Sequence, residues 1–359
     1  MHDIVALLDA ALLAGLGSAA AVSIGDAGIE VERIVRGTAR RVPAPGPAID
    51  DATAFDLASL TKPLATAALA MVLVGDGALA LDAPVRRWFP TAGTAGTVTH
   101  LLGHAAGLVA HVEFFRTLAH GVHPDPRGEL VALAAAHPAG EPGRATLYSD
   151  LGYILLGAIV ERAAGSSLEQ AFRTLVGEPL GLPGAGYPGR VAWPAAVATE
   201  VDDRGGQPGP VQGVVHDENA YFGGGVCGHA GLFATIAEVA TFAAALVDTA
   251  AGRPRGRWRT DVVQRFVTEA AAPDTTWRLG WDTPSTAPGV SHAGDRWPRA
   301  GAIGHTGFTG TSLWLDLPRR RWVALLTNRV HPTRHGTADP IKALRRAVGD
   351  AVVARLDGK

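Results

Sequence analysis

Residues 54–66 read AFDLASLTKPLAT. Ser59 and Lys62 stand three positions apart at the edge of an apolar run, in a chain whose other lysines are Lys342 and Lys359. Pro63 follows at once; lacking an N–H, it fits a helix only within the first turn. A helix is therefore expected over residues 59–75, closed by the GDG at 75–77, with Ser59 and Lys62 on one face of its opening turn. A serine hydroxyl is a poor nucleophile until a neighbour takes its proton. A desolvated lysine yields its proton more easily, and a helix N-terminus favours negative charge beside it. The pair is thus capable of covalent catalysis. The plain alternative is an N-capping Ser59 with a Lys62 stem lying along the surface, and the four-residue pattern alone does not decide between them.

Bulk composition narrows the classes. With 47% apolar and 18% charged residues, the chain has the balance of a compact fold of one or two domains rather than a disordered one. Its formal net charge of -2 gives no reason to expect a nucleic-acid partner. One cysteine, Cys227, excludes an intrachain disulfide. The N-terminus is apolar but has no basic leader and is interrupted by Asp3 and Asp9. It reads as a helix over about residues 3–15 followed by a strand near 19–25, and a cytoplasmic location is the expectation. No stretch reads as a charge-free membrane span.

Further along, GIEVERIVRG (28–37) alternates as the hairpin partner of the first strand across a GDAG turn. Residues 82–220 are turn-rich with intermittent helices. AGLFATIAEVATFAAALVDTA (230–250) reads as a helix after a short lead-in. GTSLWLDLP and RWVALLTNRV read as two strands joined at PRRR, and DPIKALRRAVGDAVVARL as a terminal helix. The expected fold is α+β: an antiparallel sheet built from both chain ends and flanked by helices. Residues 1–81 and 221–359 would form the sheet domain, and 82–220 a mostly helical inserted domain across a cleft.

Two distant segments bear on Ser59. In PGRATLYSDLGYILLG, Tyr148, Ser149 and Asp150 precede an apolar helix. Tyr148 fits a core position and Asp150 a helix cap, yet the same residues offer a proton relay and an acceptor for an ammonium. In GAIGHTGFTGTSLWLDLP, His305, Thr306 and Gly307 precede a strand. Their glycines serve a turn, or permit the close backbone approach that an oxyanion-binding N–H requires.

Taken with SLTK, these segments resemble the serine β-lactamase and penicillin-binding superfamily, whose motifs are Ser-x-x-Lys, Tyr/Ser-x-Asn and Lys-Thr-Gly. The match looks nearest to the class C-like serine hydrolases, which include class C β-lactamases, D-alanyl-D-alanine carboxypeptidases and related esterases. It covers roughly residues 15–350, with VTHLLGHAAGL and HAGLFAT as supporting segments. The resemblance implies a β-lactamase/transpeptidase-like fold in which Ser59 carries the acyl group. Lys62 would help remove the serine proton and Tyr148 would relay protons. The backbone N–H groups of Ser59 and Phe308 would form the oxyanion hole, and His305, Thr306 and Gly307 would line the opposite wall.

The chain departs from the pattern at two points. Asp150 stands where class C enzymes usually carry asparagine, and a carboxylate there would tether Lys62 and raise its pKa. His305 replaces the usual lysine, which reduces fixed positive charge facing a substrate carboxylate. Efficient β-lactam hydrolysis is therefore not expected. A small ester, amide or β-lactam-like molecule is the expected substrate class, esters first. A D-alanyl-D-alanine carboxypeptidase is the enzymatic alternative, and a penicillin-recognising module without turnover the non-enzymatic one. No cofactor or metal is expected.

VVHDENAYFGGGVCGHAGLF gathers His216, Asp217, Glu218, Asn219, Cys227 and His229, but matches no strong zinc spacing. These residues read as a structural, pocket-lining loop, with Cys227 packed. His100 and His104 read as parts of a structural turn. The glycines at 223–231 lack phosphate-loop context, and Trp281 and Trp314 read as core.

Overall fold

The apolar runs near the two chain ends pair with each other. The computed structural model describes residues 3–120, 122–189, 192–193, 195–336 and 338–358. In chain order its strands are β1 (Ala19–Asp26), β2 (Ile29–Gly37), β3 (Phe55–Asp56), β4 (Ala198–Asp202), β5 (Gly209–Gln212), β6 (Phe233–Ala234), β7 (Ala302–Thr306), β8 (Ser312–Asp316) and β9 (Arg321–Thr327). The main antiparallel sheet has the order β2-β1-β9-β8-β7. The first strand therefore lies on the last, with Val22 opposite Leu325 and Ser23 opposite Ala324.

Side chains alternate between the two faces of this sheet. Val22, Ile24, Trp314, Val323 and Leu325 pack with the helices Ile4–Leu13 and Asp339–Asp357. Ala21, Leu313, Leu315, Trp322, Ala324 and Leu326 join the larger core beneath the helix Ile236–Ala250. Both faces are covered, which is why β1 reads AAAVSIGD with hardly a polar residue. The larger core continues without a break into the helices Pro126–Ala136 and Asp150–Ala164.

Three local features differ from the sequence expectations. The run after Ala58 is not one uniform helix: a 3-10 turn, Ala58–Leu60, leads into a π segment, Lys62–Ala67, and then into the α-helix Ala68–Gly75. Pro63 lies at the start of the π segment, where the missing N–H costs little. Ala58–Gly75 has the length and hydropathy of a membrane span, but 83% of it is buried inside the protein, as suits a core helix. Second, His305 and Thr306 do not merely precede a strand; they end β7, the edge strand. The segment GAIGHTG hides it because Gly304 interrupts the β-rich pattern. A Cβ at Gly304 would come within 2.2 Å of the Trp314 ring, which lies across it. Third, β4 and β5 form a small antiparallel ladder within the turn-rich stretch.

Short contacts bring the distant segments to Ser59. β3 pairs with β6, setting residues 55–56 against 233–234. Leu57 N–H donates to the Leu232 carbonyl at 3.0 Å, and Leu232 N–H to Thr61 Oγ1 at 3.1 Å. The loop leading into β6 passes hard against the helix Asp150–Ala164: a Cβ on Gly228 would sit 2.2 Å from the Tyr153 carbonyl oxygen and 2.8 Å from the Gly157 Cα. Two backbones cannot part to admit a methyl group without moving that helix. Gly228→Ala is therefore expected to lower the unfolding free energy by about 1–3 kcal/mol in a urea titration. An unchanged midpoint would contradict this packing.

Candidate active site

Ser59 follows Ala58, an alanine held at φ +47°. That left-handed backbone costs about 1–3 kcal/mol for a residue with a Cβ. The buried carboxylate of Asp56 holds it, accepting the Ala58 N–H at 2.7 Å and the His216 N–H at 2.7 Å. From this turn the Ser59 hydroxyl receives two hydrogen bonds, from Lys62 Nζ at 3.0 Å and from the Tyr148 hydroxyl at 2.8 Å.

Lys62 is fully buried (0% exposed). Besides Ser59, Nζ donates to Asp150 Oδ1 at 2.8 Å and to the His229 carbonyl at 3.1 Å. Three acceptors around one nitrogen match the three N–H groups of an ammonium. Burial opposes the charge, but Asp150 outweighs it and holds Lys62 above the usual lysine range. Burial pushes the Asp150 carboxyl up, but the Lys62 charge, the His111 contact, the His229 charge and the Lys62 hydrogen bond together hold it well below the usual carboxylate range. The tether expected from an aspartate at this position is thus formed. Ser149, not Asp150, caps the following helix, accepting the Gly152 N–H, so the Asp150 side chain is free to face Lys62.

Tyr148 lies flat over the ammonium, its ring centroid 4.7 Å from Lys62 Nζ. Burial pushes its phenol up, against the pull of the Lys62 charge. The rings of His104, Trp277 and His305 surround it at 4.7, 5.5 and 6.0 Å. His104 accepts the Ser149 N–H at Nδ1, 3.1 Å away, so its own proton sits on Nε2 and its role is to brace the tyrosine loop.

The opposite wall comes from β7 and the loop after it. His305 directs Nδ1 to the Thr306 carbonyl at 2.9 Å, leaving the Nε2 lone pair without a partner among the described residues. Burial and then the Lys62 charge bring its pKa down to about 3, so the ring is neutral at pH 7. Gly307 is a requirement of contact: a Cβ there would meet Thr311 Oγ1 at 2.1 Å and the Leu57 carbonyl at 2.6 Å. Thr309 and Thr311 hydroxyls donate to the carbonyls of Asp56 and Leu57 at 2.8 and 2.9 Å. These bonds clamp the loop to the Ser59 turn. The N–H groups of Ser59 and Phe308 have no partner among the described residues.

These groups border a cavity of about 640 Å³, lined also by Trp277, His292 and Arg345. The His-Asp-Glu-Asn stretch is used in separate contacts. His216 Nε2 meets Glu200 at 3.1 Å, Asp217 takes His229 Nε2 at 2.9 Å, Glu218 pairs with Arg334, and Asn219 donates to the Val112 carbonyl at 2.8 Å. Cys227 is buried. Trp281 is core, as expected, whereas Trp314 both packs in the core and borders the cavity.

Sequence reasoning missed His111, Trp277 and Arg345 and took His104 only as part of a turn. Arg345 carried a usable signal: it falls four residues after Ile341 and three before Val348, on the buried stripe of the terminal helix. His111 reaches Asp150 across 39 residues, and no local spacing announces that contact.

The Beta-lactamase family model matches residues 13–347. A curated protein of Escherichia coli (strain K12), named "Putative D-alanyl-D-alanine carboxypeptidase", is 28% identical over 81% of this chain and 71% of its own length. Two solved structures share the fold. One, the octameric penicillin-binding protein homologue from Pyrococcus abyssi, has a TM-score of 0.72 at 20% identity, covering 99% of this chain and 77% of that one. The other, EstCE1, a hydrolase with promiscuous acyltransferase activity, has a TM-score of 0.74 at 23% identity, covering 98% and 97%. The family match spans the whole five-stranded sheet and every segment that meets at Ser59, and this chain belongs to the Beta-lactamase family as one of its serine hydrolases.

Proposed function

We propose that this hydrolase cleaves small esters and related acyl substrates, with Ser59 carrying the acyl group. One observation carries the reading: the Ser59 hydroxyl lies within hydrogen-bonding reach of both Lys62 Nζ and the Tyr148 hydroxyl at the edge of an open cavity. Both neighbours hold their protons at neutral pH, so the proton moves by relay rather than to a ready-made base. As Ser59 Oγ bonds to the acyl carbon, the Tyr148 O–H turns from Ser59 toward the leaving oxygen; the Ser59 proton then passes to the Tyr148 oxygen and the Tyr148 proton to the departing alkoxide. Water reverses the relay: it gives a proton to Tyr148, Tyr148 returns one to Ser59, and the acid leaves. The Lys62 ammonium stabilises the negative charge that develops on the way, and the free Ser59 and Phe308 N–H groups receive the carbonyl oxygen.

Ester cleavage asks least of this relay, because an alkoxide leaves with less proton assistance than an amide nitrogen. The neutral His305 offers no fixed charge on the facing wall, so β-lactam turnover is expected to be poor. A second reading, cleavage of a D-alanyl amide, is favoured by Arg345. Its guanidinium is 7% exposed, borders the cavity and has no carboxylate partner among the described residues, so it suits a substrate carboxylate.

The test is mass spectrometry of the protein mixed separately with a p-nitrophenyl ester, a fluorescent penicillin and an acyl-D-alanyl-D-alanine peptide. A Ser59 adduct that turns over with the ester supports the first reading. Release of D-alanine from the peptide faster than ester cleavage supports the second. Absence of any adduct or product sinks both.

A further inference from the structure

Asp150 serves two nitrogen partners. Its Oδ1 receives Lys62 Nζ at 2.8 Å, and its Oδ2 meets His111 Nδ1 at 3.2 Å. The two partners differ in access: Lys62 is sealed from solvent, while the His111 side chain is 43% exposed and borders the same cavity as Ser59. The loop carrying His111 is pinned on both sides. Asp150 N–H donates to the Ala110 carbonyl and Ser149 Oγ to the Val109 carbonyl, at 2.8 and 2.7 Å. Beyond it, Asn219 bonds the Val112 carbonyl and the Phe115 N–H, both at 2.8 Å. The imidazole is therefore held against the carboxylate rather than resting there by chance.

We propose that His111 is a positioning residue that sets the charge of this active site: through Asp150 it places a removable positive charge behind Lys62, and turnover at Ser59 falls as that charge is lost. The inference rests on the acyl-Ser59 reading. With His111 protonated, the cluster Lys62–Asp150–His111 carries a net single positive charge; with His111 neutral, the Lys62 and Asp150 charges cancel. An oxyanion forming at Ser59 is better stabilised by the first state.

The surroundings favour the charged form of His111. Its bond to Asp150 raises its pKa above the ordinary value of 6.5 against partial burial, and the nearby Asp217 adds to this while His229 opposes it. The exposed Glu113 on the same loop feels the His111 charge in turn. Four groups beside Ser59 hold one state through the weakly alkaline range, and a fifth begins to titrate only at its alkaline end. His305 and His104 stay neutral, Lys62 and Tyr148 keep their protons, and Arg345 lies at about 9. His229 is held charged by Cys227 and Asp217 against burial.

The experiment is kcat/KM for a p-nitrophenyl ester, with product quantified by chromatography, between about pH 5.5 and 8.5. It compares wild type, His111→Gln, His111→Lys and Ser59→Ala, with the His111 imidazole followed by NMR in the wild type. The wild type is expected to decline about five- to tenfold as His111 titrates, the scale of one charge removed near a partly solvated site. His111→Gln, which retains a donor to Asp150 but no charge, should be flat at the low level. His111→Lys, a permanent cation, should be flat at the high level. A wild-type decline persisting in His111→Gln, or a pH-independent loss in both His111 variants, overturns the proposal. Ser59→Ala separates the two ideas: retained hydrolysis there refutes the acyl-Ser59 reading itself, whereas an inactive Ser59→Ala beside a His111→Gln with the wild-type profile refutes only the role of His111.

Discussion

Replacing Ser59 with alanine is expected to lower kcat for a p-nitrophenyl ester by about 10⁴-fold or more, with little change in stability. The first part follows from the geometry: no other hydroxyl or thiol meets both Lys62 and Tyr148 among the described residues, and Cys227 is buried away from the cavity lining. What remains would come from the free N–H groups. The second part follows because Ser59 is an acceptor for groups that have other work. Lys62 keeps Asp150 and the His229 carbonyl, and the Tyr148 ring keeps its packing against His104 and Trp277. The unfolding free energy should shift by about 1 kcal/mol or less. Steady-state kinetics with a urea titration checks both, and kcat within tenfold of wild type would refute the nucleophile assignment.

Asp150→Ala is expected to have the largest effect on stability, a loss of about 3–5 kcal/mol at neutral pH, because it strands a fully buried ammonium. The pH dependence has a definite sign. In the wild type, the raised Lys62 contributes stability that is fully present below its unfolded value of 10.5 and is lost only as pH rises through the higher folded value. The depressed Asp150 contributes stability that is present above its unfolded value of 3.8 and is lost as pH falls toward the lower folded value. Between those limits the wild type gains nothing from this pair by a change of pH. In the variant, burial acts on Lys62 without its counter-charge, so the folded lysine sheds its proton more readily than the unfolded one. Stability of Asp150→Ala should then rise with pH toward 10.5, narrowing the gap to wild type. Urea titrations at neutral and alkaline pH read this directly; a gap that stays constant would mean the pair is not a buried ion pair.

Much of this could be read from local chemistry. A proline next to Lys62 requires a helix start, alternating apolar residues require strands, and SLTK, YSD and HTG carry side chains suited to a single reaction. The resemblance to the penicillin-binding motifs added that Asp150, standing where an amide is usual, would tether Lys62. Other features had no local cause. β7 escaped notice because Gly304 is there for the Trp314 ring across the ladder, not for its own strand propensity. Gly228 and Gly157 look like turn or helix-breaking residues until two backbones are seen to meet.

The sequence by itself determined which groups are available: a serine, a lysine and a tyrosine for acyl transfer, with glycines and threonines that allow close backbone contact. Only the tertiary structure decided their states. Lys62 is an ammonium because the fold buries it beside Asp150, His305 is neutral because the fold buries it beside that ammonium, and His111 belongs to the site because its loop is stitched to the start of the Asp150 helix. Protonation depends on burial and on charges a few ångströms away. Those distances join residues as far apart in the chain as Lys62 and His305, and no reading of neighbours along the chain contains them.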